Sequence, residues 1–479
     1  MTEILILFAG SIYGLIIGII PSAGATTGLV VLFSFIHYFS NDPYLGVIFC
    51  MAVVAASTTG DTYTGVLLGI PGANSAAATM VDGFPLALQG KATYAITAAV
   101  VTSTVNGLLW GTLTFSLLPV YTQLIMVFGI PELWAFTMLA LACVGLVSSK
   151  HWIRSILAVL FGISLGYIGT DPATNADRYT FGWFYLADGI QLMPLVAGLF
   201  AFPEIIDGFK RSNKITNKIR QDHLKQTIDG VKAVWYNKWD ALRGGFIGAF
   251  IGLLPGLGGA MSDWIAYGST VASHPNEEFG KGNIKGVIGP EGSNNAQKAT
   301  SMIPTVLFGI PGASFAAVLM ALFMSLNFEL GTPDLAYDKQ FFYSLTFGFM
   351  GATIIVGIFC IIFTQYIAKI AYVPYVYYFP LLTLFIIWAC VQYTGGWEDY
   401  IILLLCTLLG IFAKKYKFSR PSILIGFILA DRVESLSLQL TRIYDMPKLL
   451  DRPIFIVLIL CIIGMCAYTL LRKNTLDYA

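Results

Sequence analysis

A five-residue phrase, Gly-Ile-Pro-Gly-Ala, occurs twice in the chain, at Gly69–Ala73 and again at Gly309–Ala313. Each copy ends an apolar run (Val66-Leu67-Leu68; Val306-Leu307-Phe308). Each then opens a small-residue run, Asn74-Ser75-Ala76-Ala77-Ala78 in one and Ser314-Phe315-Ala316-Ala317-Val318 in the other. Pro has no N–H to donate and Gly permits backbone angles that other residues resist, so each phrase interrupts a helix. The surrounding chain is 56% hydrophobic and 11% charged, against about 25% charged in a soluble domain, and its mean hydropathy is +0.74. Apolar stretches approaching the roughly 20 residues that cross a bilayer recur along it. The fold class is therefore an all-α polytopic membrane protein, with about 10–14 membrane segments at that span length. Bare backbone at membrane depth is tolerated only inside protein or against a water-filled cavity. The twin breaks are thus the leading place for a solute site.

The phrases belong to a longer repeat. Gly14, Gly18, Pro21 and Gly24 match Gly248, Gly252, Pro255 and Gly258 at an offset of 234 residues, and the phrases themselves match at 240. The apolar pattern predicts a helix from Ile4 to the Pro21–Gly24 break, a second over about 27–39, and a third from Tyr44 that breaks between Ser57 and Thr64. A polar turn is expected over 82–92, then one tilted span and part of another over 94–128. Spans follow at 133–147 and 153–168, a polar loop at 171–178 and an apolar segment at 192–202. Met1-Thr2-Glu3 lacks the basic region of a cleavable signal peptide, so the first apolar stretch reads as a span. From Asp207 to Arg243 nine Lys and Arg face four Asp. The expected division is a first repeat over 1–207, a basic linker over 208–240, a second repeat over 241–450, and an extra C-terminal span within 451–479.

Positive residues concentrate in cytoplasmic loops. That places the linker and the Arg472-Lys473 tail in the cytoplasm and the N-terminus outside. The charge bias of matched loops reverses: Lys150 and Arg154 correspond to Glu398 and Asp399, and the acidic loop at 171–178 corresponds to Lys414, Lys415, Lys417 and Arg420. A parallel repeat keeps its bias, and an inverted one flips it, so two inverted-topology repeats with interrupted helices are expected.

That architecture is a transporter's. Half-helix N-termini offer free N–H groups and a positive dipole end, which suits an anion. The substrate-binding candidates are Pro21, Ser22, Gly24 and Thr26 at the first break, and Pro71, Gly72, Asn74 and Ser75 at the second. In the second half they are Pro255, Gly256, Gly258, Asn294, Asn295, Pro311, Gly312 and Ser314. Ser57, Thr58, Thr59, Thr62 and Thr64 crowd the approach to the phrase at Gly69. Against this, small residues in membrane helices serve close packing, and Ser or Thr also bond their own helix. Packing alone, however, does not require Pro-x-x-Gly at matched positions.

Charges inside apolar segments are costly; here they are Asp61, Asp263, Glu291 and Lys298. Asp61 reads as a cation ligand, a proton carrier, or the partner of Lys298; the alternative is that the two reach a polar cavity separately. Glu291 reads equally as functional or as a solvated loop carboxylate, while Asp82 and Arg178 read as turn residues. The seven cysteines read as packing residues and the four histidines share no metal-ligand spacing, so no metal and no cofactor is assigned beyond Na⁺ or H⁺ as a coupling ion. No nucleophile–base pair argues for an enzyme, and a net charge of +1 says nothing for nucleic acid.

Further motifs accompany Pro255-Gly256-Leu257-Gly258 and both Gly-Ile-Pro-Gly phrases: Asp82-Gly83-Phe84-Pro85 with Gln89-Gly90-Lys91-Ala92, Gly169-Thr170-Asp171-Pro172 with Arg178-Tyr179-Thr180-Phe181-Gly182, and Pro290-Glu291 with Asn294-Asn295-Ala296. In these the chain resembles the large membrane subunit of the tripartite tricarboxylate transporters of bacteria. The resemblance implies an ion-gradient-driven secondary transporter in the bacterial inner membrane, a small membrane partner subunit, and a periplasmic binding protein that delivers a carboxylate. The expected function is ion-coupled import of an organic anion. The alternatives are a zwitterion such as an amino acid, or a channel or non-transporting scaffold.

Overall fold

In a computed structural model the described residues are 1–20, 23–69, 73, 76–147, 152–171, 176–203, 205–206, 223–256, 258–371, 375–394 and 396–476. They form helices and one small antiparallel hairpin, β1 (Gly169–Thr170) with β2 (Asp177–Arg178). The first half contains α1 (Thr2–Ile19), α2 (Gly24–Leu32), α3 (Pro43–Leu68), α4 (Thr79–Leu88), α5 (Ala92–Val127), α6 (Ile130–Ala142), α7 (Trp152–Gly166) and α8 (Leu192–Val196). After α9 (His223–Tyr236) come α10 (Lys238–Gly252), α11 (Gly258–Ser273), α12 (Lys285–Thr300), α13 (Met302–Phe308), α14 (Ser314–Ser325), α15 (Lys339–Ala371), α16 (Tyr375–Thr394), α17 (Glu398–Lys415), α18 (Arg420–Ile443) and α19 (Pro453–Leu476). Four helices among the described residues are long and apolar enough to cross a membrane: Thr2–Ile19, Pro43–Leu68, Ala92–Leu117 and Lys339–Ile367. Shorter apolar helices surround them. The chain is a multi-pass helical membrane protein.

The order of elements recurs. A helix, a Gly-rich break, a second helix, a long third helix, another break and two further helices run from α1 to α5, and again from α10 to α15. The breaks fall at matched glycines in the left-handed region: Gly24 (φ +57°) with Gly258 (φ +71°), and Gly69 (φ +62°) with Gly309 (φ +57°). An L-residue resists these angles, which is why glycine stands at each.

The matched glycines of the first helices do something else. A Cβ on Gly14 would lie 2.8 Å from the Val53 backbone, and one on Gly18 would lie 2.2 Å from the Ser57 carbonyl. In the second half a Cβ on Gly248 would lie 2.2 Å from the Ser293 carbonyl, and one on Gly252 2.5 Å from the Gln297 carbonyl. These glycines let α1 lie on α3 and α10 lie on α12, as small residues do where helix backbones approach closely. The halves then interlock: α3 packs on α15 of the second half, and α12 packs on α5 of the first.

Three expectations change. α3 runs unbroken through Ser57–Thr64. Three of the hydroxyls there turn back on their own helix: Ser57 and Thr58 donate to the Val54 carbonyl at 3.2 and 2.9 Å, and Thr64 to the Asp61 carbonyl at 2.9 Å. A polar run satisfied in this way does not interrupt a helix. The expected polar turn at 82–92 is largely α4, which carries Pro85 in its last turn, and the expected span and part of another over 94–128 are one continuous helix, Ala92–Val127. The described part of the basic linker is helical, as α9 and the start of α10.

Candidate functional site

α12 is the least apolar of the long inner helices, yet every residue from Gly286 to Thr300 is buried. Glycines admit it. A Cβ on Gly244 would lie 2.0 Å from the Gly289 carbonyl, and one on Gly292 2.5 Å from the Ala241 carbonyl, so α10 and α12 touch backbone to backbone. Glu291, Asn294, Asn295 and Lys298 fall at i, i+3, i+4 and i+7, which puts them on one stripe of the helix.

Opposite stands Asp61 of α3. It is fully buried, and neither carboxylate oxygen has a hydrogen-bond partner. Its neighbour Thr62 donates its hydroxyl to Glu291 Oε1 at 3.0 Å, while Glu291 Oε2 has no partner. Lys298 and Glu291 are the charges that act on Asp61, and Asp61 and Glu291 those that act on Lys298. Asp61 and Lys298 are thus electrostatic neighbours without a direct ion pair. The Lys298 ammonium instead lies over the Phe315 ring of α14, 5.5 Å from its centre, an aromatic face that attracts a cation.

The fourth buried charge is Asp263 of α11. Its Oδ2 accepts the Ala78 N–H at 2.7 Å, which ties the start of α4 to the second half; its Oδ1 has no partner. The side-chain amides of Asn295 and Gln297 are buried with no partner on either atom, while the Thr79 hydroxyl and the Asn294 amide lie against Glu291. Leaving such a group unpaired costs about 1–3 kcal/mol. Packing alone gives no reason to collect so many around one helix. Together they place donors, acceptors and one cation at the join of the two halves.

The second break is tied down beside this set. The Gly309 carbonyl accepts from Arg432 Nη1 of α18 at 3.1 Å. The Gly312 N–H donates to Thr305 Oγ1 at 3.2 Å, and the Gly256 N–H donates to the Gly312 carbonyl at 3.0 Å. The turn at Pro255-Gly256 is thereby joined to the turn at Pro311-Gly312, and both prolines are buried.

The model of the tripartite tricarboxylate transporter TctA family matches residues 4–425 of this chain. The chain belongs to that family. A protein of Agrobacterium vitis, an uncharacterized 52.8 kDa protein in the TAR-I ttuC' 3' region, is 26% identical over 439 residues, covering 89% of this chain and 84% of the relative. An uncharacterized protein in the TAR-II ttuC' 3' region of the same organism is 25% identical over 189 residues, covering 39% of this chain and 78% of the relative. No solved structure matches. Membership makes the chain a membrane subunit of a tricarboxylate-transporter family, which is a transporter family and not an enzyme family.

In this TctA-family chain the expected site residues fall into three groups. Asp61, Lys298 and Asn294 gather around Glu291, and Asn295 shares their helix but packs its Cβ towards Gly107 of α5. Pro255, Gly256, Pro311 and Gly312 form the joined turns; Gly258, Ser314, Gly24 and Thr26 open the helices that follow the breaks. Pro21, Ser22, Pro71, Gly72, Asn74 and Ser75 lie outside the described residues. Glu291 is no solvated loop carboxylate, because α12 buries it. Asp82 is no turn residue either: it is buried on α4, where its Oδ1 accepts the N–H groups of Gly280, Gly282 and Asn283 at 2.8, 2.9 and 2.8 Å, and its Oδ2 the Tyr267 hydroxyl at 3.0 Å. That clamps the loop before α12. Arg178 grips Glu434 at 2.7 and 3.1 Å. Cys461 and Cys466, expected as packing residues, are exposed on α19. Sequence reasoning missed Gln297 and Thr79 as members of the buried set, and placed Thr62 only among the hydroxyls near the break at Gly69. The spacing of Glu291, Asn294, Asn295 and Lys298 at i, i+3, i+4 and i+7 is the signal for the Glu291 half of it.

Proposed function

We propose that this protein is the translocating subunit of an ion-coupled secondary transporter that imports an organic anion, a carboxylate. In this reading a periplasmic binding protein delivers the solute, a small membrane subunit accompanies the chain, and the assembly sits in the bacterial inner membrane. The halves are inverted, with the N-terminus outside and the linker and C-terminal tail in the cytoplasm, as the positive-inside rule favours. One observation carries the reading: a buried lysine stands beside unpartnered side-chain amides on a helix held between the halves. An ammonium and amide N–H groups are what a carboxylate engages, and buried acids beside them suit a coupling cation or proton.

The test is uptake by cells that express this chain together with its neighbouring small multi-span protein and secreted binding protein. Radiolabelled citrate, tartrate, succinate, glutamate and alanine are offered one at a time. The expected result is accumulation of at least one of the first three above its external concentration, lost when the binding protein is omitted. Accumulation of amino acids alone establishes a zwitterion carrier. Equilibration without accumulation means a channel, and no uptake of any compound means a scaffold.

A further inference from the structure

We propose that Asp61 is the acid that takes up a proton when an incoming carboxylate engages Lys298, so that this exchange couples the solute to H⁺. The proposal rests on the carboxylate reading above.

The argument is one of charge balance in a buried place. Three carboxylates and one ammonium gather here: Asp61 on α3, Glu291 and Lys298 on α12, and Asp263 on α11. Their means of support differ. Glu291 accepts the Thr62 hydroxyl, and Asp263 accepts the Ala78 N–H. Asp61 accepts nothing, on either oxygen. An ionised carboxylate that receives no hydrogen bond from the protein leans on the nearest cation. For Asp61 that cation is Lys298.

Among the described residues, no other element packed against α3 supplies a substitute. α1 carries only Glu3, at its far end; α2 and α5 carry no Asp, Glu, Lys or Arg. Asp82 of α4 is committed to the loop before α12. α15 has lysines only near its ends, and its Cys360 faces Tyr63 rather than Asp61. A solute carboxylate that takes over Lys298 therefore adds one negative charge to a set already rich in them and neutralises the cation that acts on Asp61. A proton from the water on the side of entry then moves to an Asp61 oxygen and restores the balance. Release of the solute leaves the Lys298 charge free to act on Asp61 again, and the proton leaves.

The acid–lysine exchange is testable without any solute. In the purified full chain, Lys298→Gln removes the cation as the solute would. It should add the infrared carbonyl-stretch band of a protonated buried carboxyl, and Lys298→Gln with Asp61→Asn should lose that band. Absence of the band in Lys298→Gln, or its persistence in the double variant, overturns the assignment. A second arm needs no change at Lys298: the wild-type melting temperature is measured in sodium chloride and in choline chloride at fixed pH. Equal values are expected. A sodium-specific rise that Asp61→Asn abolishes would make Asp61 a Na⁺ ligand and overturn the proton role. If the uptake experiment finds no carboxylate while the infrared pattern holds, the carboxylate reading fails and the Asp61–Lys298 exchange stands. If carboxylate uptake is found and the double variant keeps its band, only Asp61 is removed.

Discussion

α3 in the first half and α12–α13 in the second lie in the same register against their glycine seams. Gly18 of α1 meets backbone at Ser57 and Gly60, and Gly252 of α10 meets it at Gln297 and Ser301, close to 240 residues further on. Both long helices end at a left-handed glycine. What they carry differs. The stripe Glu291, Asn294, Asn295 and Lys298 has Met51, Val54, Ala55 and Thr58 at the positions 240 residues earlier. The first-half hydroxyls of Ser57 and Thr58 near the seam donate to their own helix's carbonyls, and the second-half amides of Asn295 and Gln297 have no partner within the protein. The scaffold is duplicated and the chemistry is not. Helix contact needs small residues at fixed spacing in both halves, whereas one set of polar groups is enough to hold one solute.

The largest effect expected from this comparison is at the seam. Gly18→Leu and Gly252→Leu each place a side chain against backbone, an overpacking that costs about 1–3 kcal/mol and more where nothing can shift. Both should abolish recovery of monodisperse protein by size-exclusion chromatography. Normal recovery of one but not the other would break the equivalence of the two seams.

The breaks are equivalent in backbone but differently buttressed. Arg432 donates to the Gly309 carbonyl, whereas Gly69 lies under the Phe84 ring, where an added Cβ would sit 3.0 Å from it. Arg432→Gln should lower stability by about 1.5–3 kcal/mol, the range for a hydrogen bond to a charged group. Thermal melting reads it, and an unchanged midpoint would show that the second break holds without the guanidinium.

The smallest expected effect is on the solute itself. Asn294→Ala should raise the KM for whichever carboxylate is accumulated by about tenfold, equivalent to about 1.4 kcal/mol. Thr58→Val, which removes a hydroxyl already bonded to Val54, should leave KM within about twofold, since such back-bonding adds little. Equal effects of the two substitutions would mean that both halves contribute polar contacts.

The glycine and proline positions were legible before any coordinates because their meaning is local. A φ of +57° at Gly309 or +62° at Gly69 excludes nearly every other residue, whatever surrounds it. The polar run Ser57–Thr64 was misread for the converse reason. Whether a hydroxyl interrupts a helix or bonds to it depends on whether the backbone carbonyl three or four residues back is in reach, and composition does not record that. Glu291 was ambiguous because Gly-Pro-Glu-Gly is loop-like by propensity; only the approach of α10 at Gly244 and Gly248 makes it the inside of a buried helix.

By itself the sequence determined the membrane class, the repeat and the glycines at which helices break, since each follows from the hydropathy of a segment or the freedom of a single residue. The tertiary structure alone decided that the matched glycines Gly14, Gly18, Gly248 and Gly252 are contact surfaces between helices. It also decided that Asp61, Glu291, Asp263 and Lys298, drawn from three helices and both halves, share one buried place. The physical reason is range: backbone angles and transfer to lipid are settled within a few residues, whereas the fate of a buried charge is settled by groups more than two hundred residues away in the chain.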